Sequence, residues 1–232
     1  MNVYILVEGS RTEMQVYPAW LSIIAPNLIR VERVEEISNN NYFLFSGCGI
    51  PSIYKHISNA VADINKINAC GKIKIDYLLV CLDTEQEDRK YILNRIEEQL
   101  QFDDRGIADF QLRVFEQKVC METWFLGNRK IFKKNPQDVV FQNLIRFYNV
   151  SVNDPEEMAN GNKERCTTKA QFHSCYLKAM LRERNVTYSK NDPSVVCTST
   201  YLNELIGRCQ STEHLKTFCR WYEFVINNLR DL

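Results

Sequence analysis

The sequence lacks the features that mark membrane, secreted and disulfide-stabilised proteins. No apolar run approaches the roughly 18 residues that a membrane-spanning helix needs. The opening Met1–Val7 has no basic segment, and Glu8 follows it too early for a signal peptide. The nine cysteines are scattered and include no CxxC pair, which disfavours a disulfide framework. We therefore expect a soluble, cytoplasmic protein that binds no membrane.

A net charge is also missing, because 29 Lys and Arg balance 29 Asp and Glu. The chain thus lacks the strongly basic character that by itself indicates a nucleic-acid-binding protein. The balance is uneven along the chain, however. Residues 1–127 carry 13 basic and 18 acidic side chains, whereas residues 128–190 carry 12 basic and 6 acidic ones. This asymmetry is either surface drift or a separation of metal-binding from phosphate-binding residues.

Short apolar segments alternate with helical patterns in the first half of the chain. Val3–Val7 and Ile75–Leu82 are apolar without alternation, which predicts strands buried on both faces. Further strands are expected at Arg30–Ile37, Tyr42–Phe45 and Gln111–Phe115, and helices at Thr12–Ile24, Ser52–Asn68 and Asp88–Leu100. Such alternation predicts a mostly parallel sheet, whose ligand crevice lies outside the carboxyl ends of the strands.

Strand patterns stop after Gly127. Amphipathic helices are predicted at Pro136–Tyr148, Glu164–Arg184, Val195–Arg208 and Thr212–Leu229. With 232 residues, of which 45% are hydrophobic, the chain is long enough for an α/β domain and a smaller helical region. We predict an α/β core over residues 1–127 and a helical C-terminal region over residues 128–232, basic in its first part.

Acidic residues follow two of the predicted strands. Glu8 comes directly after Val3–Val7, and Asp83 and Glu85 come after Ile75–Leu82. Because the carboxyl ends of parallel strands meet at one edge of a sheet, we expect these side chains to converge there. Carboxylate oxygens are the ligands that Mg²⁺ and Mn²⁺ prefer. The other interpretation is that acids follow buried strands simply because loops are polar.

Three segments of the chain resemble one protein family. Val7-Glu8-Gly9-Ser10-Arg11-Thr12-Glu13 resembles the VEGxxTE opening of TOPRIM domains in the OLD and RloB-like nuclease groups. Asp83-Thr84-Glu85 is similar to the acidic DxD pair of that family, with Glu in place of the second Asp. The segment Phe115–Gly127 contains Glu122 and is similar to the E-x-W-x-L segment of RloB-like proteins. Together the three segments span about residues 1–127, in the order in which the family has them.

The resemblance implies a TOPRIM-type, Rossmann-like catalytic core that cleaves phosphodiester bonds of nucleic acid with Mg²⁺ or Mn²⁺. It implies that Glu8 contacts the metal or moves protons, that Asp83 and Glu85 ligate the metal, and that Glu13 and Glu122 complete the acidic cluster. The longer Glu85 side chain leaves the choice of metal open. Glu13 has a second interpretation, as a first-turn acid that favours the dipole of a helix, and Trp124 fits a core residue better than a platform for a nucleobase.

The basic segment supplies the predicted contacts with nucleic acid, because phosphate binding needs clustered positive charge. The candidate residues are Arg129, Lys130, Lys133, Lys134 and Lys169. OLD and RloB-like systems combine the nuclease with an ABC-type ATPase, and this sequence has no G-x-x-x-x-G-K-[ST] phosphate loop. The resemblance therefore implies an ATPase partner supplied in trans and a role in defence against phage. DNA or tRNA as substrate, and homo-oligomerisation, stay open.

Two other interpretations differ in chemistry. A TOPRIM-like domain without catalytic activity would dock to an ATPase complex through its helical C-terminal region. Cys166, His173, Cys175 and His214 suggest a zinc site, although their spacing matches no standard zinc finger.

Overall fold

The computed structural model describes residues 1–161 and 166–230, and in them five strands and eight α-helices follow one another. The strands are β1 (Asn2–Val7), β2 (Ile29–Val31), β3 (Asn41–Ser46), β4 (Tyr77–Asp83) and β5 (Gln111–Gln117). The helices are α1 (Glu13–Ile24), α2 (Ser52–Ala69), α3 (Arg89–Phe102), α4 (Met121–Phe125), α5 (Val139–Phe147), α6 (Lys169–Arg182), α7 (Ser199–Ser211) and α8 (Lys216–Leu229). The predicted α/β class, with a parallel sheet and C-terminal helices, is confirmed.

The sheet has the strand order β2-β3-β1-β4-β5, and all five strands run parallel. The first strand in sequence is therefore the central one, with Val7 aligned to Ser46 of β3 on one side and to Cys81 of β4 on the other. From β1 the chain builds the β2 and β3 side first and then crosses over to β4. β1 is thus the topological switch point, the place where open parallel sheets form their ligand crevice.

Apolar residues on both faces explain why β1 and β4 are the inner strands. All six residues of β1 are buried, as are the residues of β4 from Tyr77 to Leu82. One face packs against α2 and α3, where Leu6, Val80 and Leu82 lie in the same core as the helix residues Ile57, Val61 and Ile96. The continuous apolar patterns of these two strands are therefore explained by burial from both sides.

The predicted strand Arg30–Ile37 is wrong over most of its length. Only its first two residues belong to β2, an edge strand, and Val34–Glu36 form a 3-10 turn instead. The Glu36 carboxylate accepts hydrogen bonds from the backbone N–H groups of Glu32 and Arg33 and from Arg33 Nε. These local bonds satisfy donors that a strand would have offered to a neighbour, so the alternating pattern does not extend the sheet.

Two compact units divide the chain. The sheet unit comprises Met1–Leu82, Glu87–Glu116 and the residues from Glu223 onward, and the helical unit comprises Asp83–Gln86 and Gln117–Tyr222. The predicted boundary at residue 127 thus falls inside the helical unit. Asp83 is the last residue of β4 and belongs to the helical unit.

The helical unit has an aromatic core. Trp124 is fully buried and contacts Phe218 and Trp221, while its indole N–H donates to Thr217 Oγ1 at 2.7 Å. The interpretation of Trp124 as a core residue is confirmed. The predicted helix Glu164–Arg184 corresponds to α6, although its residues 164 and 165 lie outside the described part of the chain.

Cysteines in the described residues are mostly reduced, with one exception that the scattered pattern did not predict. Cys209 of α7 and Cys219 of α8 form a disulfide, and the other seven cysteines are free thiols.

Within residues 1–161 and 166–230, none of the helices combines the length and apolar character needed to cross a bilayer.

Candidate acidic site

Glu8 is held at the switch point by backbone hydrogen bonds to both neighbouring strands. Its N–H donates to the carbonyl oxygen of Cys81 at 3.0 Å, and its own carbonyl oxygen accepts from Gly49 N–H at 3.0 Å and from Ser46 Oγ at 3.3 Å. The residue therefore continues the β1 ladder by one position, and its side chain is partly exposed. The backbone of a glutamate is thus anchored at the carboxyl edge of the three inner strands.

Glu13 lies at the start of α1 and folds back over Gly9. Its Oε1 accepts a hydrogen bond from Gly9 N–H at 3.2 Å, and only 8% of the residue is exposed. The side chain of the N-cap residue Thr12 makes no capping hydrogen bond. Glu13 thereby supplies both a negative charge and an acceptor near the positive end of α1, which supports its interpretation as a first-turn acid.

Glu8 and Glu13 both affect titrating groups of the sheet unit. Burial, followed by the charge of Glu13 among other causes, raises the pKa of the Cys81 thiol to about 12. Burial also raises the pKa of Tyr54 on α2, and Glu8 and Glu87 contribute to that rise. Tyr54 is a neighbour of the candidate site that the sequence pattern, which assigned α2 only to the core, did not identify.

In the helical unit, Asp83-Thr84-Glu85 runs beside the segment that follows β5. Thr84 N–H donates to the Gln117 carbonyl oxygen at 3.0 Å, Glu85 N–H donates to the Val119 carbonyl oxygen at 2.9 Å, and Val119 N–H donates to Thr84 Oγ1 at 2.8 Å. Thr84 is buried, Asp83 is partly buried, and Glu85 is exposed. Thr84 is therefore the structural residue of the motif, Glu85 extends into solvent, and Asp83 Oδ1 is buried.

Two of these residues have backbone conformations that side chains rarely adopt. Glu85 has a φ of 50° and Val119 has a φ of 72°, in the left-handed region that favours glycine. For a β-branched residue such as Val119 this conformation is strained. Neither position carries a glycine or asparagine, so no sequence signal reveals these turns. The strain lies in the two segments that carry Asp83 and Glu122.

Glu122 is buried in the helical unit, with 2% of its surface exposed. Its Oε1 accepts from the Tyr188 hydroxyl at 3.2 Å and lies 3.9 Å from Lys190 Nζ. Burial raises the pKa of the neighbouring Cys120 thiol well above its usual value, and the charges of Glu122 and Asp83 add to that rise. Asp83 and Glu122 therefore act on the same thiol, and Tyr188 and Lys190 are partners of Glu122 that the motif did not indicate.

The candidate donors are all carboxylate oxygens, which suits Mg²⁺ or Mn²⁺ by donor chemistry. Among the residues that the structure describes, no three His, Cys, Asp or Glu side chains are arranged as a metal-binding group.

The basic residues of the predicted phosphate-binding set fall into two kinds. Lys130 pairs with Glu204 at 3.2 Å, and Lys133 pairs with Glu183 at 2.8 Å. Lys134 is exposed, Arg129 is partly buried, and Lys169 is the first residue of α6. Lys133 thus pairs with a nearly buried carboxylate, whereas Lys130 is exposed in its pair with Glu204 and Lys134 extends into solvent.

The suggested zinc ligands are not grouped around a metal position. His173 is fully buried, its Nε2 donates to the Met158 carbonyl oxygen at 3.0 Å, and its Nδ1 accepts from Thr123 Oγ1 at 2.7 Å. His214 Nδ1 accepts from the buried Arg208 guanidinium at 3.0 Å. Both imidazoles are thus engaged by protein groups, and only Cys166 and Cys175 lie beside each other, with 3.5 Å between their sulfurs.

Comparison of the chain with protein-family models, with curated proteins and with solved structures finds no match.

Proposed function

We propose that this protein is a divalent-metal-dependent nuclease that cleaves phosphodiester bonds in DNA or tRNA. The observation that carries the proposal is the fixation of Glu8. Hydrogen bonds to Cys81 of β4, to Ser46 of β3 and to Gly49 after β3 anchor the backbone of this residue at the topological switch point of a parallel sheet, and its side chain is partly exposed. A carboxylate whose backbone is anchored at the usual ligand crevice of this fold suits a group that positions a cation or moves a proton.

In this proposal Glu8, Asp83 and Glu85 bind Mg²⁺ or Mn²⁺, and Glu13 and Glu122 support the acidic cluster. The bound ion would supply charge stabilisation at a phosphate oxygen and an activated water. The strained backbone at Glu85 and Val119 supports the assignment, because strain of this kind concentrates at functional sites. Lys134, Lys169 and Arg129 would contact the phosphate backbone.

The proposed biological setting rests on the sequence resemblance alone. It is defence against phage, with an ABC-type ATPase supplied in trans and with the nuclease restrained until infection.

The alternative proposal is a subunit without catalytic activity that docks to such an ATPase. The binding of Glu122 by Tyr188 and Lys190 favours this alternative at one position, because a buried, engaged carboxylate is not available as a metal ligand.

Replacement of Glu8 by Gln separates the two proposals. The amide keeps the shape of the side chain and removes its charge, so we expect the fold to survive and cleavage of plasmid DNA or tRNA to fall by at least about 100-fold. Glu97→Gln is the matched control, because Glu97 lies on the exposed face of α3. Cleavage is measured with Mg²⁺ or Mn²⁺, with and without a neighbouring ATPase.

Two results would contradict the nuclease proposal. The first is full cleavage by Glu8→Gln when its circular dichroism spectrum matches that of the wild type. The second is normal assembly with the ATPase and no cleavage by the wild type under any of these conditions, which is the behaviour of a docking subunit.

A further inference from the structure

Two thiols of the helical unit lie side by side. Cys166 Sγ donates to Cys175 Sγ across 3.5 Å, although nine positions separate the two residues in the chain. A disulfide requires a separation of about 2.05 Å, so the two sulfurs would approach each other by about 1.5 Å to form one. The two thiols differ in accessibility, because Cys175 is exposed on α6 whereas Cys166 is buried, with 4% of its surface exposed.

Hydrogen bonds fix the segment that carries Cys166 against the start of α6. Thr168 is the N-cap of α6, and its hydroxyl accepts from Gln171 N–H at 3.1 Å. The side chain of Gln171 in turn accepts from the backbone and hydroxyl of Thr167, at 2.9 and 2.8 Å. Asn160 Nδ2 donates to the carbonyl oxygen of Cys166 at 2.8 Å. The two sulfurs are therefore brought together by an ordered backbone.

Both cysteines line a cleft of about 600 Å³ in the helical unit. Apolar residues form much of its wall, among them Leu144, Phe172 and Ala179. A covalent bond between the two sulfurs would alter this wall and fasten residue 166 to the second turn of α6.

We propose that Cys166 and Cys175 are an oxidation-sensitive pair that closes to a disulfide when the protein meets hydrogen peroxide. The sulfur of the exposed Cys175 attacks one peroxide oxygen, the O–O bond breaks, and Cys175 sulfenic acid and one water form. The sulfur of Cys166 then attacks the sulfenic sulfur, the S–O bond breaks, and a second water leaves as the S–S bond forms. The two thiols lose two electrons and two hydrogens, which reduce one peroxide to two waters.

Four of the five remaining free thiols provide internal comparisons. Cys81 and Cys120 are buried, and burial raises the pKa of both, which keeps them protonated and unreactive. Cys48 and Cys70 are exposed and belong to the sheet unit. Exposure without an adjacent thiol allows sulfenic acid formation and gives no intramolecular disulfide. These thiols therefore separate the effect of an adjacent second thiol from the effect of exposure to solvent alone.

The test is peptide mapping by mass spectrometry of the whole protein, reduced and then treated with increasing hydrogen peroxide. We expect a cross-linked pair of peptides containing Cys166 and Cys175, with a loss of about 2 Da for the two hydrogens. It should form about tenfold faster than oxidation products of Cys48 or Cys70, and dithiothreitol should reverse it. The Cys209–Cys219 disulfide, mapped in a sample taken before reduction, checks that the mapping recovers a bonded pair.

Two variants assign the order of the steps. Cys166→Ala should leave Cys175 as a sulfenic acid that dimedone traps, whereas Cys175→Ser should leave Cys166 reduced. Cys48→Ser is the matched control and should react as the wild type does. Oxidation of Cys175 no faster than that of Cys48, or a disulfide that joins two molecules, would overturn the proposal. The measurement on wild-type protein decides the matter even if the Cys166 variant fails to fold. It does not depend on nuclease activity.

Discussion

The carboxylate of Glu13 occupies the space that a side chain at Gly9 would need. A Cβ at position 9 would lie 2.2 Å from Glu13 Oε2 and 2.4 Å from Oε1, closer than any real contact, while the Gly9 N–H donates to the same carboxylate at 3.2 Å. The glycine of the opening motif is therefore required by its own glutamate four residues later. Position 9 stays glycine for as long as the Glu13 carboxylate folds back onto its backbone N–H.

Substitution of Gly9 by Ala should drive the Glu13 side chain out of this position. Because the displaced atoms are the end of a flexible side chain, we expect a modest cost of about 1 kcal/mol from the lost hydrogen bond between Gly9 N–H and Glu13. The measurement is urea unfolding of Gly9→Ala, Glu13→Ala and the double variant. The two losses should not add, because each removes the same interaction. Gly106→Ala is the control, since a Cβ there meets nothing within 4 Å. Full additivity would exclude the coupling.

Divalent metal should stabilise the folded protein if the acidic residues bind it. At a metal concentration 100 times the dissociation constant, the gain is about 2.7 kcal/mol for one site that only the folded state offers. We expect Mg²⁺ or Mn²⁺ to raise the melting temperature of the wild type and Asp83→Asn to reduce that rise. Asp63→Asn, an exposed position on α2, is the control. An equal metal response in Asp83→Asn and the wild type would remove Asp83 from the site.

His173 should make the protein sensitive to acid. Burial lowers its pKa from 6.5 to about 4. Between these pH values the unfolded chain binds a proton at this histidine that the folded chain does not. His173 therefore costs no stability above pH 6.5, and it lowers the free energy of unfolding as the pH falls towards 4. The expected loss is about 3 kcal/mol. His173→Gln should flatten the decline, whereas His56→Gln, a half-buried position on α2, should not.

The measurement for His173 is the free energy of unfolding at successive pH values. Glu156 acts in the opposite direction, because burial raises the pKa of its carboxyl and protonation in acid relieves that cost. The difference between wild type and His173→Gln isolates the histidine from this term. A difference that does not change between pH 6.5 and 4 would show that the imidazole is not responsible.

Lys134 and Lys133 should respond differently to charge reversal. Lys134→Glu changes an exposed side chain, so the fold should persist while nucleic-acid binding weakens and its salt dependence decreases by about one phosphate contact. Lys133→Glu instead faces Glu183, whose carboxylate also accepts from the Asp138 N–H, and should lower the melting temperature. Fluorescence anisotropy at several salt concentrations and thermal unfolding distinguish these effects. Equal salt slopes for wild type and Lys134→Glu would assign Lys134 to solvent.

Periodicity was sufficient to predict most of the sheet. β1 and β4 are uninterrupted apolar runs because both their faces are covered, and such runs have few alternative structures. The predicted strand Arg30–Ile37 is wrong because the Glu36 carboxylate accepts hydrogen bonds from its neighbours in a 3-10 turn. Local hydrogen bonding of this kind produces no periodic pattern in the sequence. Strands whose conformation is determined by burial were therefore predictable, whereas the segment whose conformation is determined by the single side chain of Glu36 was not.

The candidate site was predictable only in part. The positions of Glu8 and Asp83 follow from strands that end there, so their residue numbers were available from the sequence. The partners of Glu122 were not, since Tyr188 and Lys190 lie more than 60 positions later in the chain. The left-handed turns at Glu85 and Val119 were also hidden, because neither residue type favours that conformation. Whether the acids bind a metal stays a prediction.

The central position of β1 has a consequence during synthesis on the ribosome. Residues 2–7 are made before either neighbour, and β3 and β4 follow only at residues 41–46 and 77–83. At about 5–20 residues per second, this apolar segment emerges several seconds before β4 exists to cover its second edge. Unpaired strands of this kind are prone to aggregate. In a nascent chain of this protein, residues 2–7 are therefore expected to lack their second strand partner until residues 77–83 have been made.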